Sequence, residues 1–430
     1  MKEKVLIFWF QRDLRLEDNV GLRQALAQGI PVLPIFIFDS SNINKGTLIA
    51  DRSMDFLLQV LKGLNEELRE FGSRLQGFIG DELEVFQLLT KQFEVQAVYT
   101  NRDYEPTAIQ RLNKLRDYLQ FNGIPIFDFK DQVIFDQDEI LKKDGSPYTV
   151  FGPYSKRWKE KLRNILLTES PTNYSNFYQT AWQEFITLGE LGYVKTSVVF
   201  EKFEWREDLI QQYGLWRDIP AREAGSKIGV HLRFGTVSIR KAVTIAKELS
   251  EVWLNQLIWR EFFKQILFHF PYVQHRSFKK RFDTFPWRNN EKEFVSWCSG
   301  MTGIPIVDAG MRELNETGFM HNRVRMIVAS FLCKHLLIDW RWGEAYFAEK
   351  LLDYDLSSNN GNWQWVAGTG CDAAPFFRIF NPILQEKKFD PDSFYVHQWI
   401  PKSESITPIV DLQQAAKRAL YVYQQFREHN

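Results

Sequence analysis

Val5–Phe10, written VLIFWF, is the first of five short apolar runs that decide the fold of the N-terminal part of the chain. The other four are PVLPIFIF at 31–38, RLQGFIG at 74–80, QAVYT at 96–100 and IPIFDF at 124–129. Amphipathic stretches at 19–28, 51–71, 82–93 and 107–121 separate these runs. Short β-rich runs that alternate with helical stretches predict an α/β domain with a doubly wound parallel sheet and covering helices.

The turn after the first run, QRDLRLEDN at 11–19, has no glycine fingerprint for a pyrophosphate. Ordinary dinucleotide binding is not expected there, and the default ligand site is the crevice at the carboxyl ends of the strands. The alternation stops between residues 131 and 203, which we interpret as a connecting segment with short helices. Leu254, Leu257 and Ile258 then recur at helical spacing. We therefore predict an α/β domain over 1–130 and an all-helical domain over 204–430.

Composition limits the partners and the compartment. The 430 residues include 54 basic and 54 acidic side chains, so nucleic-acid binding would need a local basic patch. Cys298, Cys333 and Cys371 form no CxxC pair, which favours a reducing compartment and roles as small buried hydrophobes. The early charges and the absence of a long apolar run predict a soluble, cytoplasmic protein without membrane contact. No metal-ligand pattern is evident, so no metal is expected.

The stretch Asn359–Pro382, NNGNWQWVAGTGCDAAPFFRIFNP, is unusually dense in amide, aromatic and glycine residues. We interpret it as one wall of a site for a flat aromatic ligand, with the glycines allowing the ligand to approach the backbone. Eleven of the 14 tryptophans lie after residue 200. The alternative is that Trp363 and Trp365 simply pack in a helical core.

Two further segments supply candidate site residues. QLIWREFF at 256–263 places Gln256 and Trp259 on one helical face, and an amide beside an indole favours a pocket over a closed core. In HNRVRM at 321–326, Arg323 and Arg325 point in different directions. One would reach a ligand phosphate and the other an acid such as Asp353 or Asp355, unless both are solvated.

The loop GSKIG at 225–229 precedes a helical pattern. Small residues with a serine before a helix offer backbone N–H groups to a phosphate, although an ordinary helix cap would have the same composition. The chain has no nucleophile elbow and no Cys–His arrangement in a supportive context. Its aromatic richness therefore favours redox or light chemistry over hydrolysis.

The order and spacing of several blocks resemble the photolyase and cryptochrome family, in particular class I cyclobutane pyrimidine dimer photolyases. The blocks are WREF at 259–262, TGIPIVDAGMRELNETGFMHNRVRM at 302–326, LLIDWRWGE at 336–344, DLSSNNGNWQW at 355–365 and DAAPFFRIFNP at 372–382. FWFQRDLRLEDN at 8–19 and YTVFGPYSKRW at 148–158 extend the resemblance. It implies an antenna domain, a helical FAD domain, and blue-light repair of dimers by electron transfer from reduced FAD to a flipped-out dimer.

The resemblance also implies residue roles. Asn359 matches the residue beside flavin N5, and Trp363, Trp340 and Trp287 match the electron-transfer chain. The other residues implied to hold the cofactor are Tyr213, Gly225, Ser226, Lys227, Ile228, Gly229, Arg260, Arg325, Asp353 and Asp355. The dimer cavity is implied to include Gln256, Trp259, Asn322, Arg323, Met326 and Trp365, with Arg217 and Arg378 at its basic rim.

Three departures from the family pattern affect these expectations. Gln256 stands where a glutamate is usual, so we expect repair with reduced efficiency. Gly225 and Gly229 replace two hydroxyl residues of the phosphate loop. Thr107-Ala108 stands where folate-binding members carry Asn-Glu, so a second antenna chromophore has no assigned identity, and a flavin-type antenna and an empty crevice both remain open.

The alternative function is a blue-light photoreceptor of the cryptochrome type, toward which Gln256 shifts weight. Asn359 and the HNRVRM block favour repair, and the partner implied is UV-damaged DNA bound by a monomer. Repair of (6-4) photoproducts is less favoured, because enzymes of that kind carry histidines where Asn322 and Met326 stand here.

Overall fold

The computed structural model describes residues 2–40, 48–167, 171–222, 225–373, 375 and 378–429. The chain forms two compact units. The first comprises Met1–Glu139, Asn164–Glu204 and Ile228–Ile245, and the second comprises Ile140–Arg163, Trp205–Lys227 and Ala246–Asn430. The two units thus alternate along the chain, and the domain boundaries near residues 130 and 203 stay a prediction.

The first unit is built on a parallel sheet. Its strands are β1 (Lys4–Phe10), β2 (Val32–Asp39), β4 (Gln76–Gly80), β5 (Glu94–Asn101) and β6 (Ile126–Phe129), in the order β4-β2-β1-β5-β6. Every neighbouring pair is parallel, with Leu6 opposite both Val32 and Ala97. A second small sheet pairs β3 (Ile49–Ala50) with β7 (Tyr193–Val194). The predicted doubly wound sheet is confirmed.

Helices of the first unit follow the predicted amphipathic stretches. They are α1 (Val20–Leu26), α2 (Arg52–Arg69), α3 (Glu82–Gln92), α4 (Pro106–Phe121) and α8 (Ile228–Phe234), followed by the start of α9 (Ile239–Leu249). The side chains of Asn19, Asp51 and Asp81 cap α1, α2 and α3 by accepting backbone N–H groups. Pro106 occupies the first turn of α4, where its missing N–H has no cost.

A buried ion cluster accounts for the inclusion of residues 228–245 in the first unit. The Asp131 carboxylate is buried and accepts hydrogen bonds from Arg15 at 2.7 and 2.9 Å and from Arg240 at 2.7 Å. Burial raises the pKa of Asp131, but the two guanidinium groups outweigh that effect and hold it below its ordinary value. Gly235 has a φ of +70°, and a Cβ there would lie 2.1 Å from the Arg12 carbonyl oxygen.

The second unit is helical apart from its connecting segments, as predicted. Its helices are α5 (Phe151–Leu162), α6 (Glu207–Gln211), α7 (Tyr213–Trp216), α10 (Glu251–His269), α11 (Glu291–Cys298), α12 (Pro305–Thr317), α13 (Asn322–Ser330), α14 (Trp340–Lys350), α15 (Leu356–Ala367), α16 (Pro382–Phe389), α17 (Phe394–Trp399) and α18 (Leu412–His429). A π-helical turn, Phe331–Leu336, follows α13. Trp297, Phe331, Trp340 and Trp363 lie in the main apolar core.

The glycines of the 359–382 stretch have structural roles that we did not expect. A Cβ on Gly361 would lie 2.1 Å from the Phe263 ring, so this glycine lets α15 pack closely on α10. Gly368 ends α15 in the left-handed conformation, with a φ of +88°. The interpretation that glycine admits a ligand to the backbone was wrong for Gly361, because the Phe263 ring already fills that space, and for Gly368 and Gly370 it stays a prediction.

Other expectations concerned cysteines, metals and membranes. Cys333 is buried as predicted, whereas Cys298 and Cys371 are half-buried, and all three are free thiols. Within the described ranges no group of His, Cys, Asp and Glu side chains is arranged to hold a metal ion. Among these same residues, no helix has the length and apolar character needed to span a membrane.

Candidate active site

The N-terminus of α15 carries a buried ion pair. Lys264 Nζ on α10 donates to Asp355 Oδ2 at 3.1 Å, and both side chains are almost inaccessible to solvent. Asp355 is also the N-cap residue of α15, because its Oδ1 accepts the Ser358 N–H. Lys264 was missed by the sequence analysis, since nothing local in the chain links it to a carboxylate 91 positions away.

One turn further along α15, Asn359 is buried and held in a fixed orientation. Its Nδ2 donates to Glu344 Oε1 at 3.0 Å and to the Glu344 carbonyl oxygen at 3.1 Å. Its Oδ1 is therefore the side chain's remaining acceptor. Burial raises the pKa of the Glu344 carboxyl above its ordinary value, and the hydrogen bond from Asn359 lowers it only in part. Glu344 lies in the quoted block LLIDWRWGE but was not singled out.

The two arginines of α13 bind different carboxylates. Arg325 forms a bidentate pair with Asp353, with distances of 2.9 and 3.1 Å, and Arg323 Nη2 lies 2.8 Å from Asp218 Oδ1. The alternative of two solvated arginines is thus wrong, and both have acidic partners. His321 caps α13 through Nδ1, and burial lowers its pKa to about 4, which leaves the ring neutral near pH 7.

Trp363, Trp340 and Trp287 belong to one apolar core. Trp363 and Trp340 are buried and lie on the packed helices α15 and α14, and the half-buried Trp287 packs against the same core. A Cβ on Gly343 would come within 2.2 Å of the Trp363 ring, so α14 is in close contact with this indole. Among the described residues, the buried indole nitrogens of Trp340 and Trp287 have no hydrogen-bond partner.

A half-buried aromatic surface lies on α10. Trp259 stacks on Phe151, with ring centroids 3.7 Å apart and planes 3° apart, and it contacts the edge of Phe262 at 5.6 Å. Gln256 is half-buried one turn earlier, and its Nε2 donates to the Val252 carbonyl oxygen at 3.3 Å. Gln256 is therefore bound only loosely, by a bond to its own helix.

Further half-buried and exposed groups belong to the same set of candidates. The exposed Arg378 lies over the half-buried Trp365 ring, 5.6 Å from its centroid. Met326 is half-buried, with its sulfur 3.7 Å from Arg323 Nη1, and Asn322 is exposed at the start of α13. Trp365 thus contacts Arg378 directly, and Arg323 contacts Met326 directly.

The remaining candidates are less densely packed. Arg217 lies over the Tyr213 ring at 5.4 Å, and Lys227 lies over Phe319 at 5.6 Å with a φ of +50°. Arg260 is half-buried beside Trp259. Gly225, Ser226 and Lys227 belong to the second unit, and Ile228 and Gly229 to the first. The prediction that Gly225–Gly229 binds phosphate stays a prediction.

Comparison with known proteins shows the family of the chain. Residues 253–420 match the family model for the FAD binding domain of DNA photolyase, and residues 6–174 match the model for DNA photolyase. A deoxyribodipyrimidine photo-lyase of Synechococcus is 36% identical, over 94% of this chain and 89% of the relative. The chain belongs to the photolyase and cryptochrome family.

Solved structures agree with this family assignment. A bacterial class III photolyase from Agrobacterium tumefaciens is similar with a TM-score of 0.85 and 33% identity, covering 100% of this chain and 98% of that one. An archaeal photolyase from Sulfolobus tokodaii with two FAD molecules has a TM-score of 0.84 and 33% identity, covering 98% and 100%. The family, the fold class, the enzyme class and FAD as the cofactor, all expected from the sequence, are confirmed.

The donors and acceptors around α15 fit FAD. The amide of Asn359 is oriented by Glu344 and presents an acceptor oxygen, which suits an N–H edge of a heteroaromatic ring. The Lys264 and Arg325 cations are each balanced by an aspartate, so they offer directed hydrogen bonds without a net buried charge. A polar flat ring and its ribose need this combination of dipoles and apolar surroundings.

Proposed function

We propose that this protein repairs cyclobutane pyrimidine dimers in UV-damaged DNA, driven by blue or near-UV light, with reduced FAD as the electron donor. The observation that carries the proposal is the arrangement on α15. Its first half bears the oriented, buried Asn359, and its last turns bear the half-buried Trp365 under the exposed Arg378. One helix thereby connects a cofactor site to an accessible aromatic surface.

Residues of the chain bind and orient the cofactor, which when bound supplies light absorption and one-electron transfer. Asn359 would lie beside flavin N5, and its two hydrogen bonds to Glu344 would orient the amide there. Arg325 with Asp353 would hold the ring and ribose, and Lys264 would keep the Asp355 carboxylate in place at the start of α15. Tyr213, Arg260 and the Gly225–Gly229 loop contact the remaining parts, with the phosphates bound by Ser226 and backbone N–H groups.

Trp363, Trp340 and Trp287 form an electron relay toward the surface. Trp363 and Trp340 are both buried, with exposures of 2% and 1%, and only Trp287 is half-buried. Among the described residues, no protein group accepts a hydrogen bond from the indole N–H of Trp340 or Trp287.

Damaged bases bind at Trp259 and Trp365. Turning the dimer out of the duplex costs a few kcal/mol, and stacking on an aromatic side chain returns about 1–3 kcal/mol per base. Arg217 and Arg378 bind the DNA backbone, while Asn322, Arg323 and Met326 line the cavity. Gln256 donates a hydrogen bond to the dimer but has no acidic proton, so we expect repair at reduced efficiency.

The first unit is proposed to serve as an antenna domain. One structural neighbour, the Sulfolobus tokodaii photolyase, is described with two FAD molecules. In this chain the proposed place for a second chromophore is the carboxyl end of the parallel sheet, where Asp39 ends β2 and pairs with Arg111 at 3.0 Å. We further propose that the protein acts as a cytoplasmic monomer.

Photorepair tests the proposal. The purified protein is loaded with FAD, reduced anaerobically and mixed with an oligonucleotide containing one cyclobutane thymine dimer. Blue light is expected to restore the thymine absorbance, and a dark control should show no change. Intact dimers after illumination, with the flavin bound and reduced, would refute repair and favour the photoreceptor function.

A further inference from the structure

Phe151 stacks on Trp259, and the proposed function gives Phe151 no role. Its centroid distance of 3.7 Å and interplanar angle of 3° mean that Phe151 covers one face of the indole. Phe262 meets Trp259 edge-on at 5.6 Å, and Phe263 is tilted by 33° at 5.4 Å. Three phenyl rings thus fix the plane of Trp259, whose side chain stays half-buried and partly accessible.

Phe151 is itself held from two directions. It is the first residue of α5, and its backbone N–H donates to Asp372 Oδ2 at 3.0 Å. Helix α5 is anchored on α10 by Trp158, whose Nε1 donates to Glu261 Oε1 at 2.6 Å. Val150, the N-cap residue, has no side chain that could cap the helix. The Asp372 carboxylate instead accepts a backbone N–H of the first turn, which has no acceptor within the helix.

Asp372 also connects the stack to the other candidate stacking residue. It follows the end of α15, seven positions after Trp365. Gly370 N–H donates to the Gln364 carbonyl oxygen at 3.1 Å, and Lys279 N–H donates to the Thr369 carbonyl oxygen at 3.0 Å. Two hydrogen bonds therefore fix the segment between Trp365 and Asp372. The hydrogen bond from Phe151 N–H to Asp372 connects this segment to the ring that stacks on Trp259.

We propose that Phe151 is a positioning residue for recognition of damaged bases: it fixes Trp259 as a one-sided stacking surface, and Asp372 holds Phe151 in place. The inference rests on the proposed function, because it requires that bases stack on Trp259. A fixed indole plane costs less conformational entropy on binding than a mobile one. Phe151 should therefore affect discrimination between damaged and undamaged DNA more than the reaction after binding.

The test is DNA binding in the dark, with one set of oligonucleotides containing a dimer and a matched undamaged set. Phe151→Leu keeps apolar volume but removes the stack, and it should weaken dimer binding about 5- to 10-fold, as expected for an aromatic pair. Binding of undamaged DNA, FAD content and repair per absorbed photon at saturating DNA should not change. Phe151→Tyr should behave as the wild type. Phe121→Leu, at an exposed phenylalanine of α4, is the control.

A double-mutant cycle tests whether Phe151 acts through Trp259. Phe151→Leu should have no further effect on dimer binding in a Trp259→Ala background. Asp372→Asn should reduce dimer binding in the same direction as Phe151→Leu, but less. Additive effects in the cycle would overturn the inference, because Phe151 would then act independently of Trp259.

The outcomes separate this inference from the proposed function. A wild type that binds damaged and undamaged DNA alike overturns both. A wild type that discriminates, with discrimination unchanged in Phe151→Leu, overturns the inference alone. Tighter dimer binding by Phe151→Leu would also overturn it, since Phe151 would then be blocking the stacking face.

Discussion

Two regions of the second unit differ in how their functional groups are held. The charged cluster consists of Lys264, Arg325, Glu344, Asp353, Asp355 and Asn359, and its members bind one another through buried or half-buried polar contacts. The aromatic cluster consists of Phe151, Gln256, Trp259, Trp365 and Arg378, which are held by ring contacts or loose bonds. In the proposed function, the paired groups of the charged cluster hold a resident cofactor, and the half-buried rings of the aromatic cluster bind a ligand that must enter and leave.

The largest effect should follow from breaking the charged cluster at its most buried point. Asp355→Asn keeps the N-cap of α15 but removes the carboxylate that pairs with the buried Lys264 ammonium, and breaking such a pair costs about 3–5 kcal/mol. We expect a loss of FAD affinity of about 100-fold or more and a lower melting temperature, measured on reconstituted protein. Asp353→Asn, at a more exposed pair, should have a smaller effect. Full FAD retention by Asp355→Asn would show that the charged cluster does not hold its cofactor through buried ion pairs, as the comparison of the two clusters requires.

Removing a ring from the aromatic cluster should give the complementary result. Trp259→Ala is expected to weaken binding of dimer-containing DNA by about 5- to 150-fold, which corresponds to the loss of roughly 1–3 kcal/mol of stacking. Its FAD content should equal that of the wild type, as measured by absorbance of the bound flavin. Trp182→Ala, at a half-buried tryptophan of the first unit, serves as the control. A Trp259→Ala protein that loses FAD as well would show that the two clusters act as one.

Lys334 tests whether carboxylate pairing, rather than burial alone, distinguishes the charged cluster. It is as buried as Lys264, but its ammonium is held by the Ala367 carbonyl oxygen at 2.9 Å and the Tyr423 ring at 3.9 Å. Burial lowers the pKa of Lys334 from 10.5 to about 7. Between those values the unfolded chain binds one more proton, so this group makes stability rise with pH.

Lys334→Met should remove this contribution. The free energy of unfolding is expected to lose a slope of up to about 1.4 kcal/mol per pH unit between pH 7 and 10, measured by denaturant titration. Lys334→Arg is the comparison, because a guanidinium keeps its charge over that range. If wild type and Lys334→Met show the same pH dependence, Lys334 is not neutralised by burial.

The smallest effect concerns the chemistry at the aromatic cluster. Gln256→Glu introduces a carboxylic acid that can share a proton with the dimer, so the quantum yield of repair should rise a few-fold. The yield is measured at saturating DNA, with the flavin fully reduced in both proteins. Equal yields would mean that the hydrogen bond from Gln256 already supplies what the reaction needs at this position.

The sheet of the first unit was predictable because each strand is a local apolar run, and VLIFWF alone marks β1 to within one residue. The polar residues of α15 were also visible in the sequence, but the stretch was interpreted as the wall of a site and its helix was not predicted. The partners of the candidate site residues were not visible. Glu344 contacts Asn359, Lys264 contacts Asp355 and Phe151 contacts Trp259 only through tertiary packing. Gly361 was misinterpreted for the same reason, because the Phe263 ring on another helix leaves no space for a Cβ at this position.

Fluorescence of the reduced flavin tests the central claim most directly, because electron transfer to a bound dimer must compete with emission. The emission lifetime is measured on FAD-loaded, anaerobically reduced protein, first with undamaged DNA and then with the dimer-containing oligonucleotide at saturation. We predict a shorter lifetime with the dimer, and a lifetime with undamaged DNA equal to that of the protein alone. Identical lifetimes with both DNAs, at proven saturation, would contradict light-driven electron transfer to the dimer.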